Sequence, residues 1–173
     1  MHRSRRGMTF VELTVVVTIM GLLAVVGVPR FARALHARKA RHAAIQLASY
    51  VDYVRNTAIN EGRSVTLSVD ATGDRFWSPD VDFPDQVGVP LSVLIKDRFD
   101  DGLEIKASFD SATSVTFDLE GTPHVGGTPL GDGVIVIGTR AVAYEIRFGA
   151  GPGNAAITEV NNPDEDAFSS PEE

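Results

Sequence analysis

From Leu13 to Val28 the chain carries no charged side chain, and Pro29 closes the run. Counted from Met8 to Pro29 the segment is 22 residues. As a helix it spans about 33 Å at ~1.5 Å per residue, close to the thickness of a bilayer's hydrocarbon core. Whatever this chain folds into must find an apolar covering for that helix. One ionisable residue, Glu12, lies inside the segment near its start. A carboxylate in lipid costs about 2.5–3.5 kcal/mol, and such groups are usually paired; a position this near the end also lets it reach the headgroups. Ahead of the segment sits a short basic leader, Met1-His2-Arg3-Ser4-Arg5-Arg6, followed by Gly7.

Beyond Pro29 a helical period continues. Ala40, Ala44, Leu47, Val51, Val54 and Ala58 are spaced by alternating steps of four and three, an apolar stripe along one face. Arg41, Gln46, Asp52, Arg55 and Asn56 fall off it. Gly62 is a stop signal. The pattern predicts one helix from about Thr9 to Glu61, bent at Pro29, with an anchor over 8–29 and an amphipathic support over 30–61. The period then changes to two. Ser64–Val69, Arg75–Trp77, Leu103–Phe109, Ser114–Leu119, Val134–Ile137, Ala141–Phe148 and Ala155–Val160 read as strands, each bounded by Gly, Pro, Asp or Asn. Residues 78–102 read as an irregular excursion with one short strand at Ser92–Lys96. Six or seven strands with short connections imply an α+β fold, a long N-terminal helix packed on an antiparallel sheet or sandwich over 62–160. The tail 161–173 has five acids, two prolines and only Phe168 to bury, which predicts disorder.

Charge is divided between the two ends. Positions 1–41 hold eight Lys or Arg against Glu12 alone, whereas positions 62–173 hold twenty acids against seven bases, a balance of −13. An acidic body disfavours a phosphate-binding surface, so no nucleic-acid partner is expected. Three bases precede the apolar run and five follow it soon after, so the positive-inside rule alone leaves its orientation open. The cluster Arg30–Arg41 reads most simply as facing lipid headgroups. With no cysteine there is neither a disulfide framework nor thiol chemistry.

Catalysis finds little footing. There is no G-x-S-x-G elbow, and His2, His36, His42 and His124 are scattered. The glycines of Gly149-Ala150-Gly151-Pro152-Gly153 stand between two strands, not before a helix, so a hairpin turn is the better reading than a phosphate loop. Asp80, Asp82 and Asp85, with Asp97, Asp100 and Asp101, are candidate Ca²⁺ ligands by type, but solvated acidic loops explain them more simply. No cofactor, metal or catalytic residue is expected.

Two stretches carry a resemblance. Gly7-Met8-Thr9-Phe10-Val11-Glu12-Leu13 resembles the class III signal of type IV prepilins and type II secretion pseudopilins. In that pattern a basic leader ends in Gly, a hydrophobic residue follows, and Glu stands fifth after the cut. Met8, Phe10 and Val11 replace the commoner Phe, Leu and Ile. The resemblance implies a leader over 1–7, cleavage between Gly7 and Met8 by a prepilin peptidase, and N-methylation of Met8. It further implies a kink at Pro29, an N-terminus in the cytosol, and an inner-membrane anchor with a periplasmic domain. The helix would pack with those of other pseudopilins or pilins, Glu12 pairing with a neighbour's N-terminal ammonium. Two rival readings, a secretory signal cut at Ala32-Arg33-Ala34 and an uncleaved anchor, fit the run's length or the leader less well.

The second stretch is Val54-Arg55-Asn56-Thr57-Ala58-Ile59 with Gly62-Arg63-Ser64-Val65-Thr66-Leu67. It is similar to the "AR-x-x-AI-x-x-G-x-x-V-T-L" run of H-type minor pseudopilins and FimT-like minor pilins, with Val54 where Ala is common. Val115-Thr116-Phe117 and Gly121 resemble their "v-x-F-x-x-x-G" strand and turn. The expected fold is therefore type IV pilin-like, and the expected role is that of a structural, non-enzymatic minor pseudopilin. The alternative is a FimT-like minor pilin of pilus biogenesis or DNA uptake.

Overall fold

The computed structural model describes residues 9–70, 72–139, 141–149 and 153–160, and no side chains at 26–30, 32 and 33. The leader 1–7, Met8 and the tail 161–173 therefore lie outside the described residues, as does the side chain of Pro29. Two compact units, residues 1–35 and 36–173, divide the chain.

Helix α1 runs from Phe10 to Glu61. It stops at Gly62, where the Arg63 N–H bonds back to the Ala58 carbonyl at 3.2 Å, a Schellman closure of the last turn. Within the larger unit every residue of the expected stripe, Ala40, Ala44, Leu47, Val51, Val54 and Ala58, is fully buried. Ala43, Ala48 and Tyr50 are buried as well. The covered arc is thus wider than a single stripe.

Ten strands follow among the described residues: β1 (Val65–Val69), β2 (Arg75–Phe83), β3 (Gln86–Leu94), β4 (Glu104–Ser108), β5 (Ser114–Phe117), β6 (Pro123–Val125), β7 (Thr128–Pro129), β8 (Asp132–Thr139), β9 (Val142–Gly149) and β10 (Ala156–Val160). They form a six-stranded sheet ordered β3-β2-β1-β5-β6-β7 and a four-stranded sheet ordered β10-β9-β8-β4, all pairings antiparallel. Phe117 of the larger sheet meets Phe148 of the smaller, ring centres 5.7 Å apart, and Phe109 joins them at 5.9 Å. Tyr50 of α1 packs on Phe76 and Phe83 of β2. The core lies between the two sheets and the packed half of the helix.

The expected α+β pilin-like architecture is present, with two corrections. Residues 78–94 are not irregular: β2 and β3 form a long hairpin, and a one-turn helix α2 (Ile95–Arg98) replaces the end of the expected strand Ser92–Lys96. The prolines that argued against strand are exposed at Pro79 and Pro90. The register jumps from Trp77↔Ser92 to Asp82↔Pro90 between them, and prolines are tolerated at such bulges and edges. The second correction is the pair β6 and β7, too short to leave a periodic signal.

Candidate functional site

Thr9 caps α1. Its Oγ1 accepts a hydrogen bond from the Glu12 N–H at 3.2 Å, and its carbonyl accepts one from the Leu13 N–H at 3.1 Å. Thr-x-x-Glu ahead of an apolar run is a capping-box spacing, a signal the sequence carries openly. It places the Glu12 carboxylate in the first helical turn, where the helix dipole favours negative charge. The hydroxyls of Thr14 and Thr18 donate to the carbonyls of Phe10 and Thr14, at 2.8 and 2.7 Å. These polar groups are satisfied by their own helix, as a lipid or apolar protein environment requires.

From Phe10 to Val25 every residue except Val16 is exposed. Phe10 is 83% exposed, Leu22 67% and Val25 74%. An apolar surface of this kind, all round a helix, calls for a covering by lipid or protein. Among the described residues no helix is long and apolar enough to cross a membrane; the described side chains of the run stop at Val25, short of Val28.

A second constellation joins the helix to two distant loops. Arg55, only 8% exposed, donates from Nη1 to the Gly153 carbonyl at 2.7 Å. One turn earlier, Asp52 Oδ1 accepts the Ala155 N–H at 2.9 Å. Gly121, at φ +78°, sits against the same helix, where an added Cβ would lie 3.0 Å from Arg55 Nε. Asp52, Arg55 and Ile59 thus clasp the turn after β5 and the entry to β10.

Three of the six candidate Ca²⁺ ligands, Asp80, Asp82 and Asp100, hold backbone N–H groups of their own chain. Asp80 accepts the Thr66 N–H at 2.8 Å and Asp82 the Gly88 N–H at 2.6 Å. Asp100 accepts the Gly102 N–H and pairs with Lys39. The Lys39 hydrogen bond, then the Gly102 N–H, hold the Asp100 carboxyl below the usual carboxylate range. Among the described residues no three His, Cys, Asp or Glu side chains converge to hold a metal.

Residues 43–159 match the family described as Type II transport protein GspH. The chain belongs to the GspH family. The fold is similar to that of the type IV minor pilin FimU of Pseudomonas aeruginosa, at 19% identity over 72% of this chain and 90% of that one, with a TM-score of 0.50. The minor pseudopilin EpsH from the Type 2 Secretion System of Vibrio cholerae aligns at 10% identity over 70% and 96%, with a TM-score of 0.49. No curated protein matches the chain.

The clasp residues fall inside the GspH match, and Thr9 and Glu12 precede it. Arg55, Ile59 and Gly121 come from the two runs that carry the resemblance of this chain to H-type subunits. In the fold those runs touch. What looked like two separate signatures is one packing unit.

Proposed function

We propose that this GspH-family chain is a minor pseudopilin, a structural subunit of a type II secretion system. A prepilin peptidase cuts between Gly7 and Met8 and methylates the new amine. The helix over 8–29 holds the subunit in the inner membrane, kinked at Pro29, with the β body of 62–160 in the periplasm. The same helix then leaves the lipid and packs among those of other pseudopilins, building a pseudopilus that displays the acidic body outside.

The observation that carries this reading is the ring of exposed apolar side chains from Phe10 to Val25, on a helix whose polar groups are already satisfied. Lipid and a bundle of like helices offer the same apolar covering, so a transfer between them costs little hydrophobic energy. Glu12 gives that transfer a direction. Unpaired, its carboxylate is costly in either place; paired with a neighbour's ammonium it is tolerable.

The test is the intact mass of the N-terminal peptide from native membranes, with and without prepilin peptidase. A peptide beginning at methylated Met8 only with the peptidase is expected. One that still begins at Met1, or follows a cut near Ala34, overturns the reading.

A further inference from the structure

Four strand edges bound the two sheets among the described residues, and three are guarded. β3 carries Pro90 and a bulge, β7 carries Pro129, and β4 is covered where the Ile105 N–H bonds to the Gly73 carbonyl at 3.2 Å. Proline, bulges and covering loops are the usual means of keeping an edge from pairing with another chain. Among the described residues β10, Ala156-Ile157-Thr158-Glu159-Val160, has none of these. It pairs with β9 alone, it contains neither proline nor lysine, and all but Val160 are exposed.

One face of β10 lines a cleft with Ile157 and Glu159, together with Arg41 and Ile45 of α1 and Tyr144 of β9. Ile157 and Glu159 point to the same face of their strand, and Glu159 stands opposite Tyr144. Ile45 and Ile157 are both exposed large apolar side chains. A strand laid along β10 sets alternate side chains into this cleft, one against the two isoleucines and the next beside Glu159.

We propose that β10 is an acceptor edge, on which an extended, basic segment of a neighbouring subunit adds a fifth strand to the smaller sheet. Backbone pairing of this kind supplies affinity, and the alternate side chains supply selectivity. The charge follows from this chain. Glu159 lies in the strand, five acids and no Lys or Arg follow it, and positions 62–173 balance to −13. Two copies edge to edge would bring like-charged bodies together, so a cationic partner strand fits where a second copy does not. The inference rests on the chain being an assembling subunit.

The test uses the full chain in detergent micelles and two short peptides, one alternating Val with Lys and the other Val with Glu. Amide hydrogen exchange is followed by mass spectrometry. The Lys peptide is expected to slow exchange in Ala156–Val160 about tenfold at ten times its dissociation constant, and the Glu peptide to do nothing. Glu159→Lys should abolish that preference without altering exchange elsewhere. Equal protection by both peptides, protection at β3 instead, or no protection at millimolar peptide overturns the proposal. None of these outcomes depends on processing at Gly7 or on assembly, so failure here is separable from failure of the subunit reading.

Discussion

Gly121 faces Ile59 so closely that a Cβ built on the glycine would lie 2.7 Å from the isoleucine's Cδ1. The contact joins the turn after β5 to the last turns of α1, across 62 positions of sequence. Gly121 also holds φ +78°, a left-handed conformation that costs a side-chain-bearing residue roughly 1–2 kcal/mol. Gly121→Ala is therefore expected to lose about 1–3 kcal/mol, the strain plus whatever Ile59 and Arg55 must give. Chemical denaturation checks this, and a wild-type midpoint would show that the turn simply relaxes.

Gly73 makes the stronger prediction. A Cβ there would lie 2.4 Å from the Ile105 carbonyl oxygen, and φ is +72°. Its obstacle is backbone, which cannot rotate aside as Ile59 can. Gly73→Ala should cost more than Gly121→Ala, about 3 kcal/mol or above, and should loosen the junction between the two sheets. The ranking is read from paired unfolding curves.

Asp52 and Arg55 hold the entry to β10 in complementary ways, one accepting an N–H and the other donating to a carbonyl. Asp52→Ala leaves the Ala155 N–H without its acceptor, a loss of about 1–2 kcal/mol. The opening should be local: amide exchange rises around Ala155 and β10, while β1 and β5 stay as protected as before. Uniform acceleration across the domain would mean that the clasp supports the whole fold.

The Lys39–Asp100 pair ties the start of the packed helix to the loop before β4. The folded state lowers the Asp100 pKa below its ordinary 3.8, so it binds the proton less tightly than the unfolded chain does. The pair then adds stability above that value and loses it as pH falls through the lowered one. Asp100→Asn should lower the unfolding temperature only slightly near neutral pH, because the Lys39 end of the pair is 41% exposed and screened by solvent. Once the pH has fallen through that lowered value the two curves should converge, because protonation does to wild type what the substitution does.

Much of this fold is legible from periodicity. All six residues of the stripe from Ala40 to Ala58 are buried, because a helix pressed on a core leaves a 3.6-residue record. The same logic places β1, β5, β8, β9 and β10 within a few residues. The β2–β3 hairpin was not legible, since Pro79, Pro84 and Pro90 read as breakers. Pro84 falls in the turn between the strands, while a bulge and an exposed edge let the strands accept Pro79 and Pro90, and both are tertiary facts. The clasp was half legible. Arg55 and Gly121 stood out as motif residues, but only the fold brings them to one place, and the Gly153 carbonyl that receives Arg55 carries no side-chain signal at all. At the N-terminus the reverse holds: Thr9-x-x-Glu12 announces a cap in the sequence itself, and the same carboxylate is also the one charge in an apolar run.

Glu12 thus has two physical roles to separate. One is local, a negative charge in the first turn of a capped helix, worth about 0.3–1 kcal/mol. The other is the proposed pairing with a neighbour's N-terminal ammonium, where loss of one partner costs about 3–5 kcal/mol. Glu12→Gln keeps the side-chain length and the hydrogen-bonding a capping box accepts, but it removes the charge. Glu12→Ala removes both. If the local role were all, Gln would behave nearly as wild type and Ala would be mildly impaired. Pairing predicts instead that both variants are inserted and cut after Gly7, as the N-terminal mass reports, yet fall at least about a hundredfold in the sheared pseudopilus fraction. Normal incorporation of Glu12→Gln would remove charge pairing from the mechanism and leave Glu12 as a helix-terminal residue.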